Sequence, residues 1–131
     1  MGAVLLDTTV LIDLLRGRSG AIERLGMLRR SGDQPYICVI NVEELERGAR
    51  ESEADPITRL LDGLSVAPLG RAEGTRAGRW RREHAARGIT LSQADCLVAS
   101  AAAGVGARLA TGNPKDFPMQ GVSVEHWPVG T

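Results

Sequence analysis

Residues 3–17 read AVLLDTTVLIDLLRG. Ala3–Leu6 is a short apolar run suited to a buried strand. Asp7 then interrupts, and apolar residues resume at once. Across Thr9–Arg16, Val10, Leu11, Leu14 and Leu15 recur at spacings of one, three and four, which places them on one face of a helix. A strand followed directly by a helix, with an acid at the junction, is the opening unit of an α/β fold.

The same alternation continues along the chain. Gly17 and the Arg18–Gly20 turn lead into a helix over Ala21–Arg30, and Ser31–Pro35 reads as a loop. Tyr36–Ile40 is a β-branched, apolar strand followed by a helix over Asn41–Arg50. A further helix spans Ile57–Leu64 after Pro56, then a strand Ser65–Leu69. Arg71–Arg87 is a long arginine-rich helix with Ala77, Trp80 and His84 as its inner stripe. Ser92–Ala103 (SQADCLVASAAA) is an unusually apolar helix, expected to be covered on most sides. Strands Ala107–Thr111 and Val122–Glu125 complete the pattern.

Strands apolar on both faces and alternating with helices call for a parallel sheet between two helical layers. The fold class expected is a single α/β/α sandwich with a central parallel sheet of four to five strands. At 131 residues, one domain spanning 1–131 is the simplest organisation.

Acidic and basic residues balance at 16 each, so the overall charge does not point to an anionic partner. Every basic residue except Lys115 is an arginine. Cys38 and Cys96 stand apart inside apolar stretches, without metal or disulfide spacing, and read as buried thiols in a reducing compartment. No apolar run approaches the ~18 residues of a membrane span, and too few residues precede Asp7 for a signal peptide. The expected location is the cytoplasm, with no membrane partner. His84 and His126 have no companion at zinc spacing and read as structural or surface residues.

In an open α/β sheet, binding sites lie beyond the carboxyl ends of the strands. Four acids fall there. Asp7 follows the first strand and Glu44 lies one helical turn past the second, in NVEEL. Asp95 opens the apolar helix, in LSQADCL, and Asp116 follows the Ala107–Thr111 strand, in LATGNPKDF. Each also has a structural reading. Aspartate is a favoured N-cap, Asn41-x-x-Glu44 and Ser92-x-x-Asp95 have capping-box spacing, and Asp116 beside Asn113-Pro114 suits a turn. Four capping acids need not share one edge, however. Carboxylates brought together repel one another unless a cation lies among them, and an all-oxygen donor set suits Mg²⁺ or Mn²⁺. A metal held by acids, with open water positions, suits phosphodiester hydrolysis. Asp13 lies too far along its helix to join it. Glu43 points roughly 100° away from Glu44, so only one of the two faces the crevice.

LLDTTVLIDLLRG, NVEELERGA, RGITLSQADCLVASAA and LATGNPKDFP, in this order, resemble the PIN-domain ribonucleases, and most of all toxins of the VapC type from bacterial toxin–antitoxin pairs. The resemblance runs from Val4 to Trp127. It implies Mg²⁺- or Mn²⁺-dependent endoribonuclease activity, 5′-phosphate and 3′-hydroxyl products, a homodimer, and inhibition by a cognate VapB-type antitoxin. It carries the family's acids onto Asp7, Glu44 and Asp95, as metal ligands, with Asp116 as a further catalytic acid. Thr8, the hydroxyl after the first acid, is placed with Thr111 and Asn113 as substrate-contacting polar groups. Many relatives have an aspartate where this chain has Asn113. That departure keeps open an alternative, a catalytically silent PIN-like module that binds RNA or protein. A haloacid-dehalogenase-type phosphatase would need a second aspartate where Thr9 stands. Arg71, Arg76, Arg79, Arg81, Arg82 and Arg87 read first as a solvated helix face, with an RNA-phosphate track as the alternative. Surplus apolar residues on the first two helices suit either core or a docking groove.

Overall fold

A computed structural model describes residues 2–131. Its strands are β1 (Ala3–Leu6), β2 (Gln34–Ile37), β3 (Ser65–Val66), β4 (Arg108–Thr111) and β5 (Val124–His126). Its helices are α1 (Thr8–Leu15), α2 (Ser19–Arg30), α3 (Val39–Arg47), α4 (Ala54–Asp62), α5 (Arg71–Ala85) and α6 (Gln93–Gly104). The strands form one five-stranded sheet in the order β3-β2-β1-β4-β5, and every pairing is parallel.

Strand alternation divides the core between the two faces of this sheet. Val4 and Leu6 of β1 and Ala110 of β4 pack with Val10 and Leu11 of α1, Leu25 and Leu28 of α2, Leu45 of α3 and Ile57 of α4. Leu5 and Leu109 face the other way, against Ala77 of α5 and Cys96, Val98, Ala99 and Ala102 of α6. The expected α/β/α sandwich is therefore present, with four helices on one side and two on the other. Small residues on α6 let it lie close to both the sheet and α5, which explains why Val98, Ala99, Ala101 and Ala102 are all buried. Trp80 of α5 packs partly buried at the margin of that core.

Several element ends differ from those expected. β2 stops at Ile37, and Cys38 caps α3, with its amide donating to Asn41 Oδ1 at 2.9 Å. The helix thus starts two residues before the Asn41 read as its beginning. α4 begins at Ala54, ahead of Pro56, because a first-turn proline lacks only an amide that has no intrahelical partner anyway. β3 ends at Val66, although the Ala67 amide still reaches Ile37 O at 2.7 Å. Pro68 then removes the next donor. α5 ends at Ala85 and β5 is displaced to Val124–His126.

From β1 the chain builds outward on one side through β2 and β3, then returns to place β4 and β5 on the other. The connections above the β1 and β4 carboxyl ends therefore diverge and leave a crevice between them. The backbone ladder runs to its rim, where the Asp7 amide donates to Ala110 O at 2.9 Å.

Candidate active site

A cleft of about 400 Å³ opens at that point, lined by Asp7, Thr8, Thr9, Glu44, Arg47, Gly48, Asp95, Asn113 and Asp116. All four acids singled out in the sequence face it. They arrive from the end of β1, the middle of α3, the first turn of α6 and the short 3-10 turn Pro114–Asp116 after β4.

Asp7 occupies the N-cap position of α1, yet its side chain makes no capping hydrogen bond. The carboxylate instead accepts from the Thr111 hydroxyl, 2.8 Å from Oδ2. Asp7 is 8% exposed and Thr111 is fully buried. A capping role thus fails to account for this acid. Glu44 is not part of a capping box either, since Asn41 serves Cys38. Its Oε1 accepts from the Thr8 hydroxyl at 2.7 Å, and Thr8 Oγ1 accepts from Asn41 Nδ2 at 3.2 Å. A chain of donors from the Cys38 amide through Asn41 and Thr8 therefore orients Glu44. Asp95 retains half of its predicted box, because its amide donates to Ser92 Oγ at 3.0 Å.

Thr111 is fully buried beneath the cleft and does not line it, so it supports Asp7 through its hydroxyl instead of contacting substrate as expected, whereas Thr8 lies along the wall and bonds Glu44. Asn113 faces the cleft, and its amide donates to Thr111 Oγ1 at 3.1 Å. Thr9 Oγ1 accepts from the Gly112 amide at 2.9 Å, which ties the β4 exit loop to α1. Asn41, Thr9 and Arg47 belong to the site without having been assigned to it from sequence. Thr9 immediately follows a motif residue, and Arg47 lies one turn beyond Glu44. Those spacings were the available signals.

Electrostatics sets these acids apart. Burial pushes the Asp7 carboxyl above the ordinary aspartate range. The bonds from Thr111 and the Thr8 backbone act against that rise, and the charges of Asp95 and Glu44 add to it. Asp95 is also raised, first by burial and then by Asp116 and Glu44, with Ser92 opposing. Buried Cys38 has its thiol pushed up by burial, with Asp7 and Glu44 adding to the rise, so it stays protonated. The cleft is a site where negative charge is costly and a cation relieves the cost.

The donor set is carboxylate oxygen throughout, which matches a hard divalent ion. Among the described residues, no three His, Cys, Asp or Glu side chains stand close enough together to ligate one cation as they are placed. Magnesium is commonly held through one or two carboxylates with several retained waters. Asp7, Glu44 and Asp95 all line the cleft, so its wall offers the oxygen donors that such an ion takes.

Other expectations resolve structurally. Asp13 is buried and accepts from the Gly130 amide at 2.8 Å, pinning the final residues of the chain to α1. Glu43 does not line the cleft and pairs with Arg47, one turn on, at 3.2 Å. Arg76 donates to Ser100 O at 2.8 Å and Arg81 to Leu91 O at 3.2 Å, so these two α5 arginines hold α6 and its approach in place. His84 is buried with Nδ1 2.8 Å from Trp80 O, and His126 is exposed. No helix among the described residues is long and apolar enough to cross a membrane.

Residues 4–118 match the PIN domain family. The chain belongs to that family. This PIN-domain protein is also 34% identical over 119 residues to Ribonuclease VapC19 of Mycobacterium tuberculosis, covering 88% of this chain and 92% of the relative. It is therefore homologous to the VapC ribonuclease toxins. Among solved structures, its fold matches VapBC2 from Rickettsia felis bound to a promoter DNA fragment, with a TM-score of 0.87 at 21% identity over 95% of this chain and 98% of that one. A toxin–antitoxin complex from Klebsiella pneumoniae matches with a TM-score of 0.77 at 26% identity, over 96% and 99% of the two chains.

Proposed function

We propose that this PIN-domain protein is a Mg²⁺- or Mn²⁺-dependent endoribonuclease of the VapC type. It hydrolyses RNA phosphodiester bonds to 5′-phosphate and 3′-hydroxyl ends and is held inactive by a cognate antitoxin. The observation that carries this reading is the buried Asp7. It sits where an N-cap should be and turns instead into a cleft shared with Glu44, Asp95 and Asp116.

In this scheme Asp7 and Asp95 are the principal ligands, and Glu44 joins directly or through a water. A divalent cation held there supplies positive charge that lowers the pKa of water and offsets charge developing on the phosphate. Thr111 and Thr8 keep Asp7 and Glu44 aimed at the cleft. Water attacks phosphorus in line, and its proton passes to Glu44 or Asp116. The P–O3′ bond breaks and the 3′ oxygen takes a proton from solvent, leaving phosphate on the 5′ side of the downstream fragment and a 3′-hydroxyl on the upstream one. No 2′-hydroxyl takes part, so cyclic phosphates are not formed.

The antitoxin assignment is supported by the homology to VapC toxins and by exposed apolar residues on the first helical layer. Ile22 and Met27 of α2 are 52% and 55% exposed. A homodimer is proposed on the family likeness.

The test is cleavage of a structured RNA by purified protein in Mg²⁺ or Mn²⁺, with EDTA, Asp7→Asn and Asp95→Asn as controls. The expected result is cutting abolished by all three, with circular dichroism unchanged in the variants and 5′-phosphate ends that a ligase accepts. Metal-independent cutting or cyclic phosphate ends overturn the mechanism. Asn113, which faces the cleft where many relatives have an acid, favours the second reading of a silent RNA- or protein-binding module. RNA binding without cutting in either metal would establish that reading.

A further inference from the structure

The proposed nuclease site has an unsolved electrostatic difficulty. Four of the nine residues lining the cleft are carboxylates, and an RNA phosphodiester entering it is itself an anion. One lining residue, Arg47, carries positive charge. We propose that Arg47 is the substrate-phosphate anchor of this cleft, binding non-bridging phosphate oxygens through its guanidinium fork. This inference rests on the ribonuclease reading above and adds a residue and a role to it.

Arg47 occupies the last turn of α3, one turn after Glu44. Its present partner is Glu43, reached through Nε at 3.2 Å, with the two side chains 68% and 62% exposed. The terminal nitrogens of the guanidinium make no other hydrogen bond among the described residues. An exposed i,i+4 ion pair is weak and screened by salt. Glu43 therefore holds the arginine beside the cleft at little cost and releases it readily. The planar fork then meets two phosphate oxygens at once, which a lysine ammonium does not do. Glu43, which does not line the cleft, and Glu44, which does, thus have separate tasks: one parks the cation and the other serves the acid cluster.

A competing role must be set against this. A cation in the last turn of a helix interacts favourably with the helix dipole, and Glu43–Arg47 has the favourable i,i+4 order. If Arg47 did only that, its loss would lower the melting temperature slightly and leave RNA handling unchanged.

The discriminating experiment has two arms on the full chain. In the kinetic arm, Arg47→Ala is expected to raise KM for a short RNA about tenfold or more, on the scale of a lost charge-assisted bond, with a smaller change in kcat. Arg47→Lys falls between, and Glu43→Gln leaves KM equal or lower. In the binding arm, affinity for the same RNA is measured in EDTA across a series of salt concentrations. Arg47→Ala is expected to reduce the slope of log K against log salt by about one relative to the wild type. Wild-type KM and an unchanged salt slope in Arg47→Ala overturn the proposal, as does failure of the wild-type protein to bind RNA. Absence of cleavage by the wild type would defeat the nuclease reading alone, because the binding arm still decides the role of Arg47.

Discussion

The Thr111 hydroxyl donates to Asp7 Oδ2 at 2.8 Å, joining two residues 104 positions apart at the ends of neighbouring strands. Both are buried. The bond favours the ionised carboxylate in a place where burial disfavours it. It therefore opposes the rise that burial imposes on the acid of the cleft with least solvent contact, and fixes where that carboxylate points.

Thr111→Val removes that donor with little change in volume. At neutral pH the stranded carboxylate should lower stability by about 1–3 kcal/mol, as expected for a buried acceptor left unmatched. The loss should shrink in acid, where Asp7 is protonated and the bond matters less. Urea unfolding at two pH values measures this. Divalent affinity should fall ~10–100-fold, the range seen when a partner that orients a metal ligand is removed.

Asp7 and Asp95 both have pKa values raised in the folded protein. Each therefore binds its proton more tightly folded than unfolded. As pH rises from the ordinary aspartate range through the raised folded values, stability falls, and above them it levels off. Asp7→Asn should flatten part of this decline and leave the metal-free protein at least as stable at neutral pH. Cation binding has the opposite trend, because Mg²⁺ or Mn²⁺ competes with those protons. The rise in melting temperature produced by Mn²⁺ should be small at the acidic end and grow as pH increases. Thermal melts across pH, with Mn²⁺ and with EDTA, test both signs.

Asn113→Asp places a fifth acid in a cleft that already contains four. Without divalent cation the added repulsion should lower the melting temperature. With Mn²⁺ the stabilisation should exceed that of the wild type, since another oxygen ligand is offered. A variant whose melting temperature is independent of Mn²⁺ would show that this part of the cleft does not approach a cation.

Gly112 links buried Thr111 to Asn113. A methyl group added there would run into Val129 Cγ2 and come within 3.3 Å of Thr9 Oγ1. Val129, which is exposed, must rotate or move aside with its segment. Gly112→Ala should lower stability in urea unfolding by about 1 kcal/mol, the low end of the overpacking penalty, because the exposed Val129 can give way. It should also reduce cleavage by more than its stability loss explains, because the displaced loop carries Asn113 and leads to Asp116.

Much of the architecture was readable one segment at a time. The period of Val10, Leu11, Leu14 and Leu15 marked α1, and the apolar run of Ala3–Leu6 marked β1 without error. Boundaries failed where a neighbouring group competed. Asn41 resembled an N-cap, but it bonds the Cys38 amide as a third-position residue, so α3 starts earlier. Asp13 does not line the cleft, and its bond to the Gly130 amide has no local signature in the sequence.

Local sequence determined that strands would alternate with helices, that Asp7, Glu44 and Asp116 would follow strands and that Asp95 would open a helix, since hydrophobic period and residue type act over a few positions. Tertiary structure alone decided that β4 lies beside β1, so that Thr111 meets Asp7, Thr8 meets Glu44 and Arg47 borders the acids. Those pairings depend on strand order and on which face each helix covers. They arise from burying apolar surface across the whole chain, and no short stretch of residues encodes them.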